Sequence, residues 1–125
     1  NNETGVLWPI TDIGELCRKH SVLFHCDAVQ MPGKVELDLE KMHVDYLSLA
    51  AHKMHGPKGV GALCVHRAAP VTPLIMGSDQ EDGCRAGTEN VAGIVGFGKA
   101  CELAGDNIPG HQKHMKELNN YRIAE

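Results

Sequence analysis

Apolar and polar positions repeat along this chain with two different periods. Residues 9–20 place Ile10, Ile13 and Leu16 on one helical face, and residues 91–104 carry apolar side chains at the same spacing. We therefore predict helices over 9–20 and 91–104, and a more polar helix from residue 112 to the end. Short apolar runs at 22–26, 44–50 and 60–66 predict three strands, of which the first is expected to be buried.

The connections between these segments indicate the fold class. Asp38 precedes a short run that ends near residue 43, and aspartate is a preferred residue at a helix start, so a short helical turn is expected there. The segment HGPKG at 55–59 is rich in glycine and proline, which predicts a turn, and residues 77–90 are polar and loop-like. Strands joined by helix-bearing connections are typical of an α/β fold, which we predict with a mainly parallel sheet.

Composition narrows the classes of function. The 125 residues carry a net charge of −4 without a basic run, which argues against nucleic acid as a partner. No apolar stretch approaches the roughly 18 residues that a membrane span requires. The five cysteines are widely spaced and form no C-x-x-C pair, which favours reduced thiols and a cytoplasmic location. Because the chain opens on Asn1, we expect it to be a piece of a larger protein.

Two polar pairs follow two of the predicted strands. Asp27 and Gln30 come after the first strand, and His52 and Lys53 come after the second. Ligands of open α/β sheets bind beyond the carboxyl ends of the strands, so adjacent parallel strands would bring both pairs into one crevice. A lysine amine and a carboxylate that holds a pyridine nitrogen are the groups that pyridoxal phosphate requires. Chemistry alone leaves open that Asp27 only caps a turn and that Lys53 is a surface residue.

Four sequence blocks resemble the cysteine desulfurase branch of the class V aminotransferases. They are NNETG, HCDAVQ, AHKMHGPKGVGAL and QEDGCRAGTENVAGIVGFGKA, and they cover residues 1 to about 104. The resemblance implies a fragment of the large domain of a fold type I pyridoxal-phosphate-dependent transferase, with α/β/α layers and a mainly parallel sheet. Residues 1–104 would then belong to the cofactor-binding large domain, and residues 105–125 would form a helical segment leading toward the small domain.

The same resemblance implies roles for individual residues. Lys53 would bind pyridoxal 5'-phosphate covalently and then shuttle protons. Asp27 would pair with the pyridine nitrogen. Gln30 and Asn2 would hydrogen-bond the phenolic oxygen of the cofactor.

The cofactor phosphate would draw on further residues. His52 would contact the phosphate, and Thr88 would reach the phosphate bound to a neighbouring subunit, which implies a homodimer. The family usually has a serine two residues before its histidine, where this chain has Ala50. One hydrogen bond to a charged group would therefore be missing, at a cost of about 1.5–3 kcal/mol.

The implied reaction converts L-cysteine to L-alanine and transfers the sulfur to an enzyme cysteine as a persulfide. The sulfur would pass on to acceptor proteins such as an iron–sulfur scaffold. None of the five cysteines matches the family's sulfur-accepting cysteine, so we expect the isolated chain to be inactive. Two alternatives remain: a selenocysteine lyase, or a non-catalytic truncated fragment that acts only in folding or dimerisation.

Two histidines three residues apart raise the question of a metal site. His52 and His55 have no obvious third ligand, and Pro57 disfavours a helix that would bring them together. We therefore predict no metal.

Overall fold

The computed structural model of the chain describes residues 1–124. The elements follow in the order α1 (Ile10–Lys19), β1 (His25–Asp27), α2 (Leu39–Met42), β2 (Tyr46–Ala50), β3 (Gly61–Val65), α3 (Val91–Asp106) and α4 (Ile108–Ala124), with 3₁₀ turns at Ala51–Met54 and Gln80–Gly83. No helix within residues 1–124 combines the length and the apolar character needed to cross a membrane.

The three strands form one sheet in the order β1-β2-β3. β1 and β2 are parallel, with Cys26 opposite Leu47, as the sequence predicted. β3 runs antiparallel to β2, with Cys64 opposite Leu47, so the sheet in this chain is mixed. Residues 51–60 explain the reversal, because a connection of that length is shorter than the dozen or more residues that a parallel crossover needs.

Strand alternation places the core side chains of β1 and β2 on one face of the sheet. Cys26 and Leu47 point to one face of the sheet and are 7% and 1% exposed. There they pack with Met42, Val44 and Ala28 in the main core cluster. The odd-numbered positions of β1 point to the other face and are exposed. Burial on one face therefore fixes which side chains of β1 meet solvent.

The first strand is shorter than predicted. Val22 and Leu23 were expected to be buried in it, yet they are 56% and 55% exposed. The backbone N–H of Val22 donates to the carbonyl of Cys17 at 2.9 Å, and Ser21 takes a left-handed φ of 53°. These residues close the carboxyl end of α1, so their backbone groups are not available to a β-ladder.

The last helix begins earlier than the predicted residue 112. α3 ends at Asp106, and the side-chain Nδ2 of its C-cap residue Asn107 donates to the carbonyl of Leu103 at 2.9 Å. α4 then starts at Ile108 and places Pro109 in its first turn. Proline is well tolerated there because the N–H that it lacks has no partner inside the helix.

The short helix α2 confirms the predicted cap. The Asp38 side chain accepts hydrogen bonds from the backbone N–H groups of Glu40 and Lys41, and it pairs with the Lys41 ammonium at 2.7 Å. The hydrogen bond from Lys41 holds the pKa of Asp38 below its usual value. The cap therefore keeps its charge to a lower pH than an ordinary aspartate does, and its contribution is lost as the pH falls through that lowered pKa.

A close approach between the turn after β1 and helix α3 depends on glycine. Gly33 has a φ of +73°, and a Cβ built on it would lie 3.2 Å from the Cβ of Ala104. The left-handed backbone disfavours other residues at this position. The turn and α3 therefore pack at a distance that only glycine permits without strain.

We expect Gly33→Ala to lower the free energy of unfolding by about 1–2 kcal/mol, because alanine disfavours positive φ and its methyl group would crowd Ala104. Urea denaturation of the chain measures the change. The matched control is Gly98→Ala in α3, where an added Cβ meets nothing within 4 Å. There we expect a gain of about 0.5–1 kcal/mol. Equal stability of wild type and Gly33→Ala would contradict this account.

Candidate functional site

A cavity of about 570 Å³ lies beyond the carboxyl end of β1. Its walls come from the first residues of the chain, the start of α1 and the turn that follows β1. Three of the predicted site residues line it together, namely Asn2, Asp27 and Gln30. Below, we refer to it as the carboxylate cavity.

Local hydrogen bonds orient the polar groups of this cavity. One oxygen of Asp27, Oδ1, accepts the backbone N–H of Val29 at 3.1 Å, which fixes the side chain in a turn typical of aspartate. The Gln30 Oε1 atom accepts a hydrogen bond from the Lys34 ammonium at 3.1 Å. Because the amide oxygen of Gln30 is engaged in this way, its NH₂ group is left as the donor that a ligand oxygen would use.

The turn after β2 presents the second predicted pair. In the 3₁₀ turn Ala51–Met54, Ala51 and Met54 are buried, whereas His52 and Lys53 are exposed. The backbone N–H of Ala51 donates to the carbonyl of Val60 at 3.1 Å, which ties the turn to the start of β3. The buried residues thus anchor the turn, and the two polar side chains project from it.

The structure distributes the predicted residues over more than one cavity. Lys53 lines a second cavity of about 260 Å³, which also contains Lys34. His52 and Thr88 are not among the lining residues of either cavity. The sequence predicted one crevice for both pairs, whereas in this chain Asp27 and Gln30 line one cavity and Lys53 lines another. The hydrogen bond between Lys34 and Gln30 connects the two.

Thr88 lies in the exposed loop before α3. The Arg85 guanidinium holds this loop, because its Nη1 donates to the carbonyls of Ala86 and Gly87 at 3.2 and 2.7 Å. At the start of α3, the Asn90 side chain accepts the backbone N–H of Gly93 at 3.0 Å. The loop is thus fixed at both ends and presents Thr88 to solvent.

One polar contact near Asp27 had not been singled out in the sequence. The His25 Nε2 atom lies 2.8 Å from the Ser48 hydroxyl, which links the exposed faces of β1 and β2. Asp27 is opposite Ser48 in the strand register, so all three side chains share one face. In the sequence, only the two-residue spacing of His25 and Asp27 could have indicated that their side chains share a face. That spacing is informative only when the residues are known to lie in a strand.

Cys26 points to the core face of the sheet and is buried, and it also contributes to the lining of the carboxylate cavity. Burial raises the pKa of its thiol, and the negative charge of Asp27 raises it further. Cys26 is therefore a protonated core residue. Within the part of the chain that the structure describes, no three His, Cys, Asp or Glu side chains are placed to hold a metal ion.

Comparisons with known proteins assign the chain to a family. The family profile described as aminotransferase class-V matches residues 1–125. The chain belongs to the class V aminotransferases. A class V relative from Klebsiella pneumoniae, named cysteine desulfurase, is 52% identical over 120 residues, which is 96% of this chain. The chain spans 30% of that relative's length.

Solved structures of related class V proteins confirm the fold. One described as a NifS-like protein superposes with a TM-score of 0.95 at 44% identity, covering 99% of this chain and 34% of its own. A second, described as SspA in complex with cysteine, has a TM-score of 0.77 at 47% identity and covers 82% of this chain and 30% of its own. The predicted α/β fold, as a fragment of a longer protein of this kind, is thus confirmed.

The two thiols nearest to the candidate loops should differ in reactivity. We expect iodoacetamide to label exposed Cys84 at least about tenfold faster than Cys26, because Cys26 is buried and its pKa is raised. Peptide mass spectrometry over a time course measures both rates. In urea the two rates should converge, which controls for intrinsic reactivity. Similar rates in the folded chain would show that Cys26 is accessible.

Proposed function

We propose that this chain is part of a pyridoxal-phosphate-dependent cysteine desulfurase, which converts L-cysteine to L-alanine and transfers the sulfur to an enzyme cysteine as a persulfide. The observation that carries the proposal is the carboxylate cavity, where Asp27, Gln30 and Asn2 converge beside the turn that bears Lys53. The cysteine desulfurase name of a 52% identical relative supports the reaction. The related protein described in complex with cysteine supports the substrate.

The residues of the cavity fit the cofactor. Its volume of about 570 Å³ is within the roughly 300–1,000 Å³ of typical cofactor sites. The Asp27 carboxylate, held by Val29 through one oxygen, suits a protonated ring nitrogen, and the amides of Gln30 and Asn2 suit a phenolic oxygen. Bound pyridoxal phosphate would supply an electron sink for the substrate carbon.

Lys53 has the properties that covalent attachment requires. Its amine is exposed on a flexible stem, whereas the 3₁₀ turn that carries it is anchored by buried neighbours. We propose that Nζ turns toward the carboxylate cavity to hold the cofactor and then moves protons at the substrate carbon. His52, beside it, would contact the phosphate.

Thr88 suits a contact between subunits. It is exposed on a loop that Arg85 fixes, and we propose that it reaches the phosphate in the partner of a homodimer.

Residues 1–104 would form part of the cofactor domain, and residues 105–125 would lead toward the small domain. The protein would act in the cytoplasm and deliver sulfur to acceptor proteins such as an iron–sulfur scaffold. A selenocysteine lyase is not favoured, because the named relative is a cysteine desulfurase.

The first test concerns Lys53. We expect pyridoxal phosphate added to the chain to give an absorbing adduct that borohydride fixes, and mass spectrometry should place it on Lys53. Lys53→Arg should lose the adduct, because a guanidinium is not a nucleophile at neutral pH. Lys58→Arg, on the adjacent turn, is the matched control and should retain it. An adduct on Lys58 or elsewhere would contradict the assignment and favour the non-catalytic alternative.

The second test restores the hydroxyl that the chain lacks. Ala50 is half-buried at the end of β2, on the face that carries Asp27 and Ser48. We expect Ala50→Ser to tighten pyridoxal phosphate binding by about tenfold, since a hydrogen bond to a charged group contributes about 1.5–3 kcal/mol. Absorbance titration gives the Kd. Ala62→Ser adds the same hydroxyl on the other face of the sheet and should leave the Kd unchanged; an equal effect of both would argue against a phosphate contact at Ala50.

A further inference from the structure

The second cavity, which Lys53 lines, is strongly basic. Four of its lining side chains are lysine or histidine, namely Lys34, Lys53, His55 and His111. No acidic side chain is among its lining residues within the described part of the chain. Its volume of about 260 Å³ is large enough for a small ion with bound water but small for a cofactor. We call it the basic cavity.

Three separate segments are held in place to form it. The His111 Nδ1 atom lies 3.1 Å from the carbonyl oxygen of Gly33, and the Gln112 amide donates to the carbonyl of Lys34 at 3.1 Å. A carbonyl oxygen only accepts, so Nδ1 of His111 carries a proton. Helix α4 is thus fastened to the turn after β1, and the imidazole is held at the rim of the cavity.

The other three basic groups come from two different segments of the chain. Lys34 is fixed by its hydrogen bond to Gln30. His55 has a left-handed φ of 64° and ends the 3₁₀ turn that carries Lys53. Lys34 and Lys53 bring two positive charges to this cavity, and no acidic side chain lines it in the described part of the chain, so a bound anion would reduce their repulsion.

We propose that the basic cavity binds a small oxyanion such as inorganic phosphate, and that the bound anion pairs with the Lys53 ammonium and slows its reaction with aldehydes. The second half rests on the proposed function, because it assigns the reactive amine to Lys53. The site is distinct from the cofactor phosphate contacts, since His52 and Thr88 do not line it. An ammonium has no lone pair for attack, so the bound anion slows the attachment of the cofactor.

A binding experiment tests the site itself. The chain is titrated with inorganic phosphate at ionic strength held constant with chloride, and the imidazole NMR signals of His55 and His111 are followed. We expect saturable shifts, and we expect His111→Gln to weaken binding at least about threefold. His114→Gln is the matched control on the same helix, outside the cavity lining, and should bind as wild type does. Shifts that chloride alone reproduces, or equal weakening in both variants, would overturn the site.

A rate experiment tests the control of Lys53. Pyridoxal without its phosphate is used, so that inorganic phosphate does not compete for the cofactor phosphate contacts. We expect phosphate to slow borohydride-trapped labelling of Lys53 at least about threefold, Lys34→Gln to remove this effect and Lys58→Gln to leave it intact. Saturable binding of phosphate with an unchanged rate of Lys53 labelling would show that the anion does not slow this reaction. If pyridoxal never labels Lys53, the proposed function fails, while the titration still decides the anion site.

Discussion

The parallel pairing of β1 with β2 determines where the candidate site residues lie. The Asp45 carboxylate accepts the backbone N–H of Phe24 at 2.8 Å, and the carbonyl of Phe24 accepts the backbone N–H groups of Asp45 and Tyr46. These bonds set the register at the start of both strands. Because parallel strands end at the same edge of a sheet, the turn with Asp27 and the turn with Lys53 then emerge side by side.

Helix α3 gives the second turn its rigidity. Phe97 and Ala100 pack against Ala51 and Met54 in a small core cluster of their own. A Cβ built on Gly56 would lie 2.9 Å from the Cβ of Ala100, so the backbone after the 3₁₀ turn also approaches the helix closely. A well-packed base of this kind holds the backbone of the turn in place beneath its exposed side chains.

The two cavities at this edge differ in charge. The carboxylate cavity contains the acidic side chains of Asp27 and Glu36, and the basic cavity contains lysines and histidines. Lys34 lies at their junction through its bond to Gln30. A lysine between regions of opposite sign is well placed to contact an anion in the basic cavity.

The sequence by itself determined the helices over α1 and α3, the cap at Asp38 and the polar residues after β1 and β2, because periodicity, capping and strand ends are local properties. It did not determine the direction of β3, the loss of residues 22–24 from the first strand or the cavity that Lys53 faces. These depend on the length of the connection, on the hydrogen bonds that close α1 and on the docking of α4 through His111. These features depend on contacts between residues that are distant in the chain, or on backbone groups that bond elsewhere instead of joining a β-ladder. Only the tertiary structure therefore decided them.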